Sequence, residues 1–340
     1  MSTKYASTQP SGYNNHIKNV AIVGAAGQVG QFITTELLKK GTFDITALSR
    51  SDSTNTPPSG VTTKPIDYND RSTLVNALKG QDVLIITMAV TAPQDQQKKL
   101  IEAAAEAGVP WIIPNEFGGD GEDDQVSADI FIGIGKKKER EYIEELGKSS
   151  WIGITCSFWY EYSLAGPGLY GIDIVKKEVT WFDDGKQRVN TSTWPQTGRA
   201  VAELLSLPVL PEDENGKATT LSHYRNRFAY VSSFTLSQRD MFESVKRVTG
   251  TSDSEWEISS VSVKKLFEDS KEKSKTGDRL AYGKMLYSRY FFPDNAGYYE
   301  VTKGLDNEKL GLPREGLDES TKKAVKLAES GYFEKIFGRN

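Results

Sequence analysis

The stretch Val20 to Gly30, Val-Ala-Ile-Val-Gly-Ala-Ala-Gly-Gln-Val-Gly, restricts what this chain can fold into more than any other. Val20 to Val23 is an apolar run of the right length for a strand buried on both faces. Gly24, Gly27 and Gly30 follow at once, and Gln31 to Lys40 then reads as a helix closed by Gly41. In that context each glycine has a physical task. Gly24 permits a sharp turn, Gly27 lets the backbone approach a pyrophosphate, and Gly30 lets the helix pack close to the strand. A helix N-terminus offers free N–H groups and partial positive charge to phosphates. The turn residues Gly24, Ala26, Gly27, Gln28, Val29 and Gly30 are therefore candidate dinucleotide ligands.

Strands and helices alternate from there. Phe43–Leu48, Val61–Ile66, Asp82–Thr87, Trp111–Ile113 and Trp151–Cys156 are runs of strand length. Between them lie a helix that Asp70 or Ser72 caps through Leu78, an alanine-rich helix over Gln94–Ala107, and a helix opened by Lys136-Lys137-Lys138. The alternation predicts an α/β Rossmann-type fold, a doubly wound parallel sheet with its ligand at the carboxyl ends of the strands. The loops Met88-Ala89-Val90 and Pro114–Gly118, with Asn115 and Phe117, then border the nicotinamide half of the cofactor. Arg50 stands near the end of the second strand, where an NAD enzyme places an acid for the ribose 2′-hydroxyl. A guanidinium there forks onto a 2′-phosphate, which favours NADPH/NADP+; the other reading of Arg50 is a solvated loop arginine. Asp67, closing the third strand, reaches toward the adenine edge. The acidic stretch Gly119–Asp129 lacks the EF-hand ligand spacing and reads as a solvated loop.

After Cys156 come Phe158, Trp159, Tyr160 and Tyr162, at the carboxyl edge of the sheet. With Phe117 they either wall an apolar substrate slot or pack between two lobes. Asp184-Gly185 is a hairpin signal, and Pro195–Leu205 reads as a helix returning to the nucleotide domain. Phe228–Ser232, Ser237–Val248 and Glu255–Val261 form a further strand, helix and strand, followed by helices within 263–290 and near 320–336. The domain reading is a flexible tail over 1–16, a Rossmann domain over 17–160 with a return segment near 190–207, and a smaller interwoven substrate lobe from 161–189 and 208–340.

Composition narrows the chemistry. A formal net charge of −4 argues against nucleic acid as an obligate partner. One cysteine, Cys156, excludes an internal disulfide framework; with only His16 and His223 beside it, no metal site of the usual zinc kind is expected. No stretch approaches the ~20 apolar residues of a membrane span, and no apolar signal core lies near the N-terminus. The expectation is a soluble cytoplasmic protein, monomer or homodimer, with no membrane partner. The dehydrogenase pair Tyr-x-x-x-Lys occurs only as Tyr299 to Lys303, far beyond the sixth strand, and reads as coincidence. His223 has no nucleophile elbow nearby.

The order of these residues resembles the isoflavone reductase and NmrA-like branch of the atypical short-chain dehydrogenases. The likeness runs from about Asn19 to Gly250. It rests on the Gly24, Gly27, Gly30 turn, on Leu48-Ser-Arg50, on Ile113-Pro-Asn-Glu-Phe-Gly118, and on Lys136 to Glu144 with Arg140, Ile143 and Glu144 in register. Ser-Trp-Ile-Gly, Phe-Trp-Tyr-Glu and Asp-Asp-Gly look like a fungal-type subgroup. The resemblance implies an NADPH-dependent reductase of a small aromatic, quinone or enone-like compound, with Lys136 as the active-site lysine. There Lys136 would also touch the cofactor, as would Phe158, while Phe117, Phe158, Trp159, Tyr160 and Tyr162 would meet the substrate. The same family holds non-catalytic members that bind NADP(H) as a sensor and act through a protein partner.

Overall fold

Alternate residues of strand β1 (Asn19–Val23) enter opposite cores: Val20 and Ile22 one, Ala21 and Val23 the other. A strand apolar at every inner position belongs in the middle of a covered sheet. The computed structural model, which describes residues 4–89, 92–93 and 95–337, places β1 there. Its parallel neighbours are β2 (Asp44–Arg50) and β4 (Val83–Ile86). Outward from these lie β3 (Thr62–Ile66) on one side and β5 (Trp111–Ile113), β7 (Ser150–Thr155) and β12 (Arg227–Tyr230) on the other. The short β6 (Phe117–Gly118) also pairs with β7, and each of these pairings is parallel. The Rossmann reading is thus met.

Helices α1 (Gly30–Lys40) and α7 (Trp194–Ser206) cover one face through Ile33, Leu37, Val201 and Leu205. Helices α2 (Arg71–Leu78), α3 (Asp95–Ala107) and α5 (Gly133–Leu146) cover the other through Leu74, Leu100 and Ile143. Local signals set their limits: Asp70 accepts from Ser72 N, and Gly41 and Gly147 end their helices in the left-handed region. Each fully buried Leu or Ile in these layers contributes about 1.5–3 kcal/mol of transfer free energy. The smaller lobe has a separate aromatic-rich core. It holds two three-stranded sheets, one of β9 (Ile172–Asp173), β10 (Glu178–Phe182) and β14 (Glu257–Val261), the other of β8 (Phe158–Trp159), β11 (Arg188–Ser192) and β13 (Phe234–Ser237). Around them lie α6 (Tyr160–Ala165), α8 (Gln238–Thr249), α9 (Val263–Ser274), α10 (Arg279–Arg289), α12 (Leu317–Glu329) and α13 (Tyr332–Phe337), while α4 (Asp124–Ile130) packs on α5 and α10, and α11 (Glu300–Lys303) meets β11 and β13 through Glu300.

Several expectations are corrected. β12 completes the main sheet instead of belonging to the lobe, and Leu310 and Tyr299 pack on that sheet as well. The described part of the N-terminal tail is pinned: Ala6 N donates to Pro211 O at 2.9 Å and Asn15 Nδ2 to Leu210 O at 2.9 Å. The acidic stretch is not a plain loop, because Asp123 caps α4 by accepting from Val126 N. The Asp-Gly turn reverses the chain without making a hairpin; β10 pairs with β9 and β14, and β11 with β8 and β13. The lysine-rich helix begins at Gly133, three residues before Lys136. Val90 and Gln94, expected beside the cofactor and at the start of α3, lie outside the described residues.

Candidate active site

The glycine turn is shaped by contact with the end of β4. Gly24 has φ +79°, and a Cβ there would lie 2.0 Å from the Thr87 carbonyl oxygen. A Cβ on Gly30 would lie 2.0 Å from the Gly24 carbonyl oxygen. Thr87 fastens the corner by donating from Oγ1 to Val23 O at 2.8 Å. Gly27 differs: a Cβ there would meet only the Gly24 carbonyl, at 3.0 Å, and its other side is open. Among the described residues the amides of Gln28, Val29 and Gly30 carry no backbone hydrogen bond, whereas Gly27 N donates to Gly24 O at 2.8 Å. A cradle without side chains, facing unengaged amides at a helix start, fits a pyrophosphate.

Arg50 is the exposed last residue of β2, with Nε 3.3 Å from Asp52 Oδ1. Burial pushes the neighbouring Tyr68 phenol up, and the Arg50 charge opposes that rise. Asp67 follows β3 in the same rim, where its Oδ1 accepts from Asn69 N at 2.8 Å. This edge therefore presents one guanidinium held by a single solvent-exposed carboxylate, an arrangement a phosphate can displace at small cost.

The loops after β4 and β5 are tied together. Asn115 Nδ2 donates to Met88 O at 3.0 Å, and Asn115 N donates to Gln97 Oε1 at 3.1 Å. Gln97 Nε2 donates to Glu139 on α5. The Glu139 carboxyl is pushed up to about 7, first by burial and then by Glu116, with Lys136 opposing. Burial pushes the Cys156 thiol up to about 12, and Lys136 acts against that rise too. Lys136 is half-buried, whereas Lys137 and Lys138 are exposed and Lys137 Nζ lies 2.9 Å from Asp124. Glu116 and Arg140 form a buried ion pair, and Arg140 Nη2 donates to Gly121 O at 2.8 Å. Two residues after β7, Ser157 is held at φ +57°, and its buried hydroxyl has no hydrogen-bond partner among the described residues.

The predicted aromatic group divides. Tyr160 is fully buried, its hydroxyl bonded to Thr321 Oγ1 at 2.8 Å, so it packs the lobe and lines no open slot. Phe117 is buried in the core of the sheet with Ile113 and Ile154. Phe158, Trp159 and Tyr162 stay half-buried; Phe158 stacks on Tyr287 with ring centroids 3.9 Å apart. Met88 is half-buried and Ala89 exposed. Tyr299 and Lys303 form no dyad, since Tyr299 donates to Val231 O at 2.7 Å and Lys303 to Glu122 at 2.7 Å. Gln97, Glu139 and Ser157 were missed by sequence reasoning. Gln97 had a signal, a glutamine in the buried row of α3 with Leu100, Ile101 and Ala104. Two clefts of about 460 and 280 Å³ lie in the lobe, and neither is lined by a predicted site residue.

The sequence profile of the NmrA-like family matches residues 16–314. Oxidoreductase aprR of Aspergillus flavus is 29% identical over 315 residues, covering 88% of this chain and 96% of that protein. The fold is similar to that of an isoflavone reductase crystal structure, with TM-score 0.69 and 21% identity over 90% of this chain and 99% of that one. It is also similar to an NADPH-dependent quinone oxidoreductase from Escherichia coli complexed with NADPH, with TM-score 0.62 and 18% identity over 89% of this chain and 98% of that one.

Proposed function

This chain belongs to the NmrA-like family, and on that premise we propose that it is an NADPH-dependent oxidoreductase reducing a small aromatic, quinone or enone-like carbonyl compound, with Lys136 as general acid. The observation that carries the reading is that Lys136 alone of the three consecutive lysines of α5 is half-buried, with its charge opposing the raised values of the Glu139 carboxyl and the Cys156 thiol. When bound, NADPH supplies a hydride to an electrophilic carbon. The amides of Gln28, Val29 and Gly30 would hold its phosphates, and Arg50 would hold the 2′-phosphate. Lys136 carries a proton on Nζ and gives it to, or hydrogen-bonds, the substrate oxygen as charge develops there. The chain Gln97–Glu139 braces α5 behind that lysine, and Phe158, Trp159 and Tyr162 offer apolar surface to the substrate.

The test is NADPH oxidation by the purified protein across quinones, enones and aromatic aldehydes, with calorimetric titration of NADPH and NADH. Lys136→Ala is expected to lower turnover by about 10²–10⁴-fold while NADPH affinity changes by less than about threefold. Arg50→Ala is expected to remove the preference for NADPH over NADH. Tight NADPH binding without turnover on any substrate would instead make the chain a dinucleotide-binding regulator acting through a protein partner.

A further inference from the structure

We infer that Tyr332, on the C-terminal helix α13, is a positioning residue for the dinucleotide, acting through Gln28 of the glycine turn. Gln28 Nε2 donates to the Tyr332 hydroxyl at 3.2 Å, a contact between residues 304 positions apart. Among the described residues the backbone amide of Gln28 also carries no backbone hydrogen bond. The tyrosine takes one N–H of the side-chain amide and leaves its carbonyl oxygen and second N–H free for a ligand. Tyr332 is itself held in place. The next residue, Phe333, is buried in the lobe core and packs on Tyr162 with centroids 4.9 Å apart. Tyr162 also meets the Tyr332 ring edge-on at 6.4 Å. Helix α13 thus bridges the substrate lobe and the phosphate turn. It lies beyond residue 314, where the family match ends. A half-buried glutamine on a turn otherwise samples several rotamers; tied to Tyr332, it meets the dinucleotide already ordered.

The inference rests on the glycine turn being the NADPH site, and the experiment separates the two. NADPH dissociation is followed by stopped-flow fluorescence for the wild type, Tyr332→Phe, Gln28→Ala and the double variant. Loss of one neutral hydrogen bond is expected to raise the dissociation rate about 3–10-fold in Tyr332→Phe, with the association rate unchanged. In the Gln28→Ala background the same change is expected to add nothing, because its route to the ligand is gone. A purely structural tyrosine would give equal increments in both backgrounds. That result, or an unchanged rate in Tyr332→Phe, overturns the inference alone. A folded wild-type protein that binds no NADPH overturns the cofactor reading, and this inference with it.

Discussion

Lys136 and Lys137 are neighbours in the chain with opposite surroundings. Lys137 makes a solvent-exposed ion pair with Asp124, the kind of contact worth about 0–1 kcal/mol. Lys137→Ala is therefore expected to leave turnover within about twofold of wild type and stability within about 0.5 kcal/mol, measured by steady-state kinetics and urea unfolding. A collapse of turnover in Lys137→Ala would transfer the acid role from Lys136 to its neighbour. At Gly30 the limit is steric. A Cβ 2.0 Å from the Gly24 carbonyl cannot be absorbed by rotating a side chain, so α1 must shift from the strand that feeds it. Gly30→Ala is expected to cost about 1–3 kcal/mol in urea unfolding and to weaken NADPH binding in the same protein. Gly27→Ala, with more room, is the gentler comparison on stability.

Among the elements, α5 carries the most chemistry, and buried charge sets its position. Arg140 is pinned to Glu116, in the loop after β5, and its guanidinium lies over the rings of Trp151 and Phe228. Removing one partner leaves the other ionised in a dry site, which costs more than the pair itself is worth. Glu116→Ala is expected to destabilise the protein by about 3–5 kcal/mol in urea unfolding. Little change in stability would mean that water enters the site and that α5 is held by its apolar face alone. The bonds from Met88 to Asn115, Gln97 and Glu139 join α5 to the loops after β4 and β5. The helix and both loops therefore respond together to a change at any one of them.

Across the whole molecule, a half-buried carboxyl, Glu139, and a buried one, Glu161, tie stability to pH. Burial pushes Glu139 and Glu161 each up to about 7. A carboxyl whose folded value is raised favours the folded state below its unfolded value. That advantage is lost as pH rises through the folded value. Stability is therefore expected to fall between about pH 4.5 and 7. Glu161 accepts from Trp194 N at 3.1 Å, so it links the lobe helix α6 to the sheet-covering helix α7. Glu161→Gln keeps an acceptor and removes the charge. It is expected to raise the unfolding free energy at pH 8 by about 1–3 kcal/mol and leave pH 5 nearly unchanged, as read from urea unfolding at both values. An equal effect at both pH values would assign the change to packing.

What the sequence determined by itself was the unit whose parts lie close together in the chain. Strand β1, the three glycines, α1 and its Gly41 cap are specified by apolar alternation, steric need for glycine and local capping, all within Asn19 to Gly41. The alternating pattern after it determined the parallel sheet for the same reason. Tertiary structure decided the rest. The four-residue strand β12 joins the main sheet because β7 leaves an edge open to it, which no local pattern encodes. Which of three consecutive lysines turns inward depends on how α5 docks, since each step along a helix rotates a side chain by about 100°. Tyr160 looked like its aromatic neighbours in sequence and was separated from them by burial against α12. The bond from Gln28 to Tyr332 joins positions that only the folded lobe brings together. Local sterics and periodicity are legible in a chain read in order; the partner of a short strand, a turned side chain or a distant hydroxyl is settled by the energy of the assembled whole.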